Sequence, residues 1–133
     1  MINVENEVYS RLTDALSDRF VGIDTASEYV RVPASFPHVS IVMTDSYTAL
    51  DRADNSPIEK YTVCTFTIDV YSKKQTGRKT ECTEILDVID TILYSLNFRR
   101  ESRVPVPNLE DSTIYRLTAR YTVETDGQYF YRR

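Results

Sequence analysis

The feature that most constrains the fold is an amphipathic stretch that follows an alternating one. Over residues 78–97, apolar side chains recur three and four positions apart, which predicts a helix with one apolar face. Over residues 61–71, they occupy every second position, which predicts a strand. The apolar stripe of the helix comprises Cys82, Ile85, Leu86, Ile89, Ile92, Leu93 and Leu96, and the even face of the strand Cys64, Phe66, Ile68 and Val70. Burying the stripe on this face contributes about 10–20 kcal/mol before entropy.

Weaker patterns place further elements around this core. Helical spacing predicts a first helix over residues 4–19, and alternation predicts strands over residues 39–44 and 113–125, with a short extended piece over residues 28–32. Helices and strands in this order, without repeated crossovers, indicate an α+β fold. We expect a mainly antiparallel sheet with two helices packed on one face, as a single domain spanning residues 1–133.

Turn and loop signals complete the expected topology. Prolines within residues 103–107 restrict any strand there to the edge of the sheet. Asp126-Gly127 is typical of a tight hairpin turn, so residues 113–132 are predicted to form a C-terminal hairpin. The polar stretch 45–60 has no period and is predicted to be a mobile loop.

Charge and cysteine usage exclude several classes of protein. The 133 residues carry a net charge of −4, so the basic surplus of a general nucleic-acid binder is missing. Cys64 and Cys82 are predicted to be buried reduced thiols, and with one histidine they cannot build a zinc tetrad. No apolar stretch approaches the length of a membrane helix and no signal-peptide pattern opens the chain, which predicts a soluble protein with no membrane partner.

No residue pattern supports catalysis or a bound cofactor. His38, the only histidine, lies outside any nucleophile motif and is predicted to be structural or on the surface. Glu84, Asp87 and Asp90 lie away from the apolar stripe of the second helix, where solvated charges are expected rather than a metal site. Three scattered glycines form no phosphate-binding loop. The chain is therefore predicted not to be an enzyme and to need neither metal nor cofactor.

Arginines and tyrosines leave two interpretations open. Arg116 and Arg120 lie on one face of a predicted strand, where they either follow phosphates or pair with carboxylates of a neighbouring strand or subunit. The acidic total favours pairing. The chain's last residues are equally suited to stacking on bases or docking against a protein: Tyr129, Phe130, Tyr131, Arg132 and Arg133.

The order and spacing of several short stretches resemble the small tail terminator proteins of long-tailed bacteriophages, also named tail completion or minor tail proteins. The resemblance spans nearly the whole chain. The stretches are PASFP (33–37), FTIDVYSKK (66–74) before an amphipathic helix, NF (97–98), PVPNL (105–109), IYRLTARYT (114–122) and YRR (131–133).

The resemblance implies a structural virion protein, assembled in the cytoplasm of a host bacterium. Such a subunit forms a homohexameric ring on the head-proximal end of the tail tube, stops tube polymerisation and provides the surface to which the head attaches. Its partners are further copies of itself, the tail tube protein and a head–tail connector protein. Genomic DNA passes through the ring without specific binding. We expect the lumen of the ring to be acidic or neutral, because the chain has a net charge of −4 and a channel for DNA should not bind its phosphates.

Within this interpretation, two groups of residues are candidates for contacts. The subunit or tube interface is predicted at Thr65, Thr67, Asp69, Arg116, Arg120, Tyr129, Tyr131 and Arg132. Contacts of the predicted mobile loop are expected at Tyr47, Leu50, Asp51 and Arg52. The alternatives are another head–tail connector component, such as a head-closure or adaptor protein, and a small DNA-binding protein.

Overall fold

The computed structural model describes residues 4–30, 33–48, 62–107, 112–126 and 130–131, which form two helices and six strands. The helices are α1 (Glu5–Arg19) and α2 (Arg78–Ser95). The strands are β1 (Asp24–Ala26), β2 (His38–Thr48), β3 (Thr62–Ser72), β4 (Arg99–Pro105), β5 (Tyr115–Thr125) and β6 (Phe130–Tyr131). Within the described residues, neither helix is long and apolar enough to cross a membrane.

The strands form one sheet in the order β1-β2-β3-β5-β4. Only β1 and β2 pair in parallel, and the other neighbours are antiparallel. The short β6 pairs with the end of β5, beyond the point where β4 begins, so it lies on the same side of β5 as β4. Both helices pack against the sheet through a shared core. The predicted α+β class, a mainly antiparallel sheet covered by two helices, is confirmed.

The core lies where α2 packs on β3 and β5. Five residues of the predicted stripe are fully buried, whereas Ile92 and Leu96 at its end are only partly buried. On the sheet, the fully buried Phe66 packs edge-on against Phe98, with ring centroids 5.7 Å apart. The even side chains of β3 face this core, and its odd side chains are also buried, except that of Thr67, which is partly exposed. β3 is therefore covered on both faces.

Both cysteines are buried in this core as reduced thiols, as predicted. The Cys82 Sγ lies 3.6 Å from the carbonyl oxygen of Val70 and 3.7 Å from that of Tyr115. Burial, followed by the nearby charge of Glu81, raises the pKa of Cys82 to about 12. The thiol therefore stays protonated and unreactive at neutral pH.

Two boundaries near the start of the sheet differ from the sequence prediction. The extended piece predicted at 28–32 is not a strand over its described residues 28–30, and the strand that precedes β2 is β1. The prediction was wrong because β1 is short and only partly buried, so it carries no alternating pattern. β2 extends to Thr48, four residues into the predicted loop 45–60, because a bulge between Met43 and Asp45 interrupts the alternation.

The later strands differ less. β4 is an edge strand, as the prolines required, but it begins at Arg99 rather than at residue 103. Its first residues are charged and exposed, which an edge strand tolerates. These residues show no alternation of apolar and polar side chains, so the pattern did not predict a strand there. β5 and β6 are antiparallel neighbours, but Thr125 pairs with Phe130, so four residues (126–129) connect them rather than the predicted two-residue turn at Asp126-Gly127. Residues 127–129 lie outside the described residues. The rest of the predicted loop, residues 49–60, also lies outside them.

We predict that Phe66→Ala lowers the free energy of unfolding by about 2–5 kcal/mol, since it leaves a cavity under α2. Urea denaturation followed by circular dichroism measures this change. The matched control is Val21→Ala, at a side chain that is almost fully exposed, for which we expect a change within about 0.5 kcal/mol. Equal effects of the two substitutions would contradict the assignment of the core face.

Candidate assembly surface

The predicted contact residues of β3 and β5 share the face of the sheet opposite the helices, here called the outer face. Antiparallel register places Thr67 beside Arg120 and Asp69 beside Thr118 on this face. Thr65, two positions from Thr67, also points outward because side chains alternate along a strand. The structure thus brings together five of the predicted contact residues: Thr65, Thr67, Asp69, Arg116 and Arg120.

Asp69 and Arg116 form an ion pair at the centre of the outer face. Arg116 Nε lies 3.0 Å from Asp69 Oδ1, and the hydroxyl of Thr118 donates a hydrogen bond to the same oxygen. Burial alone would lower the pKa of Arg116, but the hydrogen bond and charge of Asp69 raise it above its usual value. Arg116 therefore stays charged, and its ion pair with Asp69 compensates that charge. Arg116 pairs with a carboxylate of the neighbouring strand, one of the two roles that the sequence left open.

Aromatic rings enclose the guanidinium of Arg116. Its Cζ lies 5.2 Å from the ring centroid of Tyr29 and 5.8 Å from that of Tyr71, within the range of cation–π attraction. Burial and the charge of Asp69 raise the pKa of Tyr71, so its hydroxyl remains neutral. Tyr29 is about half exposed and therefore forms the solvent side of this arrangement.

His38 supports the same cluster from β2. Its ring lies 5.7 Å from that of Tyr71, and its Nδ1 lies 2.9 Å from Asp24 Oδ2 in β1. The imidazole is almost fully buried, which agrees with the predicted structural role. Ion pairing, stacking and hydrogen bonding thus hold this part of the outer face in one arrangement, which suits a rigid contact surface.

The outer-face residues differ in what they offer to another molecule. Asp69 is 3% exposed and Thr65 is also buried within the chain, whereas Thr67 is partly exposed. Arg120 is exposed and, among the described residues, has no ion pair, in contrast to the internally paired Arg116. The role of all these residues at an interface stays a prediction.

The remaining candidates lie at the two edges of the sheet or outside the described residues. Tyr47 belongs to β2 rather than to a loop, and its side chain is 46% exposed. Tyr131 belongs to β6 and pairs with Glu124 of β5. The other predicted loop and tail contacts lie outside the described residues: Leu50, Asp51, Arg52, Tyr129 and Arg132.

Carboxylates of α2 form ion pairs with the edge strand β4. Arg103 lies 2.9 Å from Asp87 and Arg100 lies 3.4 Å from Asp90, which also accepts a hydrogen bond of 3.0 Å from the Tyr121 hydroxyl. The prediction that these carboxylates are simply solvated was therefore incomplete, because the sequence did not reveal β4 beside them. Within the described part of the chain, no group of acidic, histidine and cysteine side chains has the arrangement of a metal site.

Two features of this surface were missed from the sequence. One is an open groove of about 490 Å³, lined mainly by Pro105, Val106, Pro107, Ile114 and Tyr115. It forms because the Val106 amide donates a hydrogen bond of 2.9 Å to the carbonyl oxygen of Arg116 and joins two distant segments. The other is Arg99, an exposed charge at the start of β4. Strand pairing creates both features, so no local pattern indicates them.

Comparison with known proteins gives a likeness to a solved structure. No protein-family model and no curated protein matches the sequence. Among solved structures, the chain is similar to the sheath/tube terminator of PVC, an extracellular contractile injection system, determined by cryo-electron microscopy in its extended state. The TM-score is 0.51 at 12% sequence identity, and the match covers 100% of this chain. The chain spans 60% of the length of that terminator, and the likeness shows a shared fold.

We predict that Arg116→Met lowers the free energy of unfolding by about 3–5 kcal/mol, because it leaves the Asp69 carboxylate buried without its cation. The matched control is Arg120→Met on the same strand, for which we expect a change within about 0.5 kcal/mol. Adding Asp69→Asn to Arg116→Met removes the buried charge and should recover part of the loss. Urea denaturation of the wild-type chain and the three variants measures these differences. Equal effects of Arg116→Met and Arg120→Met would contradict the assigned role of the pair.

Proposed function

We propose that this chain is a tail-terminator subunit, a structural protein that forms a hexameric ring on the head-proximal end of a tail tube. The ring stops polymerisation of the tube and presents the surface to which the head attaches. Its partners are identical copies, the tube protein and a head–tail connector protein, and the particle is a virion assembled in the bacterial cytoplasm.

The observation that carries this proposal is the fold shared with a sheath/tube terminator over the whole of this chain. It agrees with the resemblance of the sequence to phage tail terminators, which rests on residue stretches rather than on the fold. The likeness and the resemblance have different origins, and both indicate the same class of assembly protein.

The geometry of the sheet suits a ring. A ring requires a heterologous contact, in which two different surfaces of one subunit meet those of its neighbours, and a rotation that closes. The two edges of this sheet differ: the short β1 and β2 lie at one edge, and the charged β4 lies at the other. A subunit with two unlike sides binds one neighbour through each of them.

Stopping the growth of a tube requires a second difference, between the two surfaces that lie along the axis of the tube. A terminator binds the last ring of the tube through one surface and offers no copy of the tube's own binding surface on the other. DNA then passes through the ring, and a chain with a net charge of −4 is not expected to hold the phosphates.

Deletion of the gene in its phage tests the proposal. We expect overlong tails without heads, because the tube then has no signal to stop and no surface for head attachment. Electron microscopy of lysates measures tail length and head attachment, and the gene restored on a plasmid is the control. Tails of normal length beside unattached heads would contradict termination and favour a head-closure or adaptor role.

The purified chain tests the physical side of the proposal. Light scattering at high protein concentration should detect an assembly of about six chains, since a closed heterologous ring has a defined number of subunits. A filter-binding assay with duplex DNA should detect no salt-sensitive affinity. Tight DNA binding that weakens steeply with salt would instead favour the DNA-binding alternative, in which Arg120 and the aromatic C-terminal residues contact the nucleic acid.

A further inference from the structure

At each of its two edges, the sheet has a strand that is paired on one side only among the described residues. On one side β1 pairs with β2 only as far as Ser40, so the rest of β2, up to Thr48, has no further strand beside it among the described residues. On the other side β4 is paired only with β5. Unpaired strand edges are where chains add to one another.

The register aligns two opposite charges on these edges. Asp45 of β2 pairs with Thr65, Thr65 pairs with Thr122, and Thr122 pairs with Arg99 of β4. One row of the outer face therefore begins with a carboxylate on one edge and ends with a guanidinium on the other. The next row begins at Tyr47 and passes through Val63 and Glu124 to Tyr131, so it has a tyrosine position at each edge.

Both charges are available for a contact outside the chain. Asp45 and Arg99 are exposed, and neither has an ion pair among the described residues. The other charged groups of β4 are engaged, because Arg100 and Arg103 pair with α2 and Glu101 accepts a hydrogen bond of 2.6 Å from Thr122. Arg99 is thus the cation of β4 that remains for a partner.

Asp45 and Arg99 do not compensate each other within one subunit. Three inter-strand spacings separate their strands, which at about 4.8 Å each amounts to about 14 Å. This exceeds the screening length of about 8 Å at physiological salt. A second copy placed side by side, however, brings its β4 edge to the β2 edge of the first at the same row. A cyclic rotation keeps corresponding faces on the same side, so both charges remain on the outer face.

We propose that neighbouring subunits meet edge to edge, with Arg99 of one copy beside Asp45 of the next and the outer-face rows continuing from subunit to subunit. This inference rests on the proposed function and names the contact that closes the ring. The contact is heterologous, since each copy donates Arg99 on one side and Asp45 on the other. The attraction between Arg99 and Asp45 favours the alignment in which their rows meet, and it increases the rate at which copies associate.

A charge swap within one chain tests this contact. Arg99→Asp and Asp45→Arg each place like charges together, so we expect each to weaken self-association by about tenfold or more. The double variant restores an attractive pair at unchanged net charge and should associate as the wild-type chain does. Sedimentation velocity at high protein concentration measures the association. Raising the salt from about 0.1 M to about 1 M shortens the screening length to about 3 Å and should weaken the wild-type assembly.

The matched control is Lys79→Asp on α2, which changes the net charge as Arg99→Asp does at an exposed position away from both edges. We expect it to associate as the wild-type chain does, and thermal unfolding should show that all variants are folded. Single variants that associate normally, a double variant that stays dissociated, or a wild-type chain that never self-associates would overturn the inference. A ring that persists in Arg99→Asp would refute only this contact. Normal tails after deletion of the gene would refute the proposed function itself.

Discussion

The burial of β3 on both faces is the constraint on which the rest of the structure depends. On one face α2 covers the apolar side chains around Phe66. On the other face the strand carries Asp69, whose charge cannot be buried without a partner. Arg116 supplies that partner from β5, and the rings of Tyr29 and Tyr71 enclose the cation. Asp69 and Arg116 therefore compensate each other within the chain, whereas exposed charges such as Arg120 on the outer face and Arg99 at the edge of the sheet have no ion pair among the described residues.

This distribution of charge fits a protein that works by assembly. The two edges differ in length, pairing and charge, so one copy can meet its neighbours through unlike surfaces, as a closed ring requires. The chain shares its fold with a sheath/tube terminator. Under the proposed function, stability and assembly would depend on different residues: the buried pair Asp69–Arg116 stabilises the subunit, and exposed charges such as Arg99 and Arg120 are proposed to contact its partners.

Elements with an apolar face in the core were predictable, and elements at the edges of the sheet were not. α2 and β3 carry periodic apolar residues because the core selects them at every turn or every second position. β1 and the start of β4 are polar because an edge strand needs only its backbone to pair, so their side chains carry no period. The bulge after Met43 hid the end of β2 for a related reason, since it interrupts the alternation without ending the strand.

Local periodicity and composition are sufficient to predict the α+β class, the helix that covers β3, the buried thiols and a surface rich in arginine and tyrosine. Which charges are paired depends on how the strands come together in the folded chain. Arg116 and Arg120 are equivalent in the strand pattern and lie on either side of Thr118, the register partner of Asp69. Among the described residues, Arg116 forms the ion pair with Asp69, and the rings of Tyr29 and Tyr71 lie beside its guanidinium. Register puts Asp45 and Arg99, far apart in sequence, in one row. Pairing between distant strands sets these distances, and no local pattern contains it.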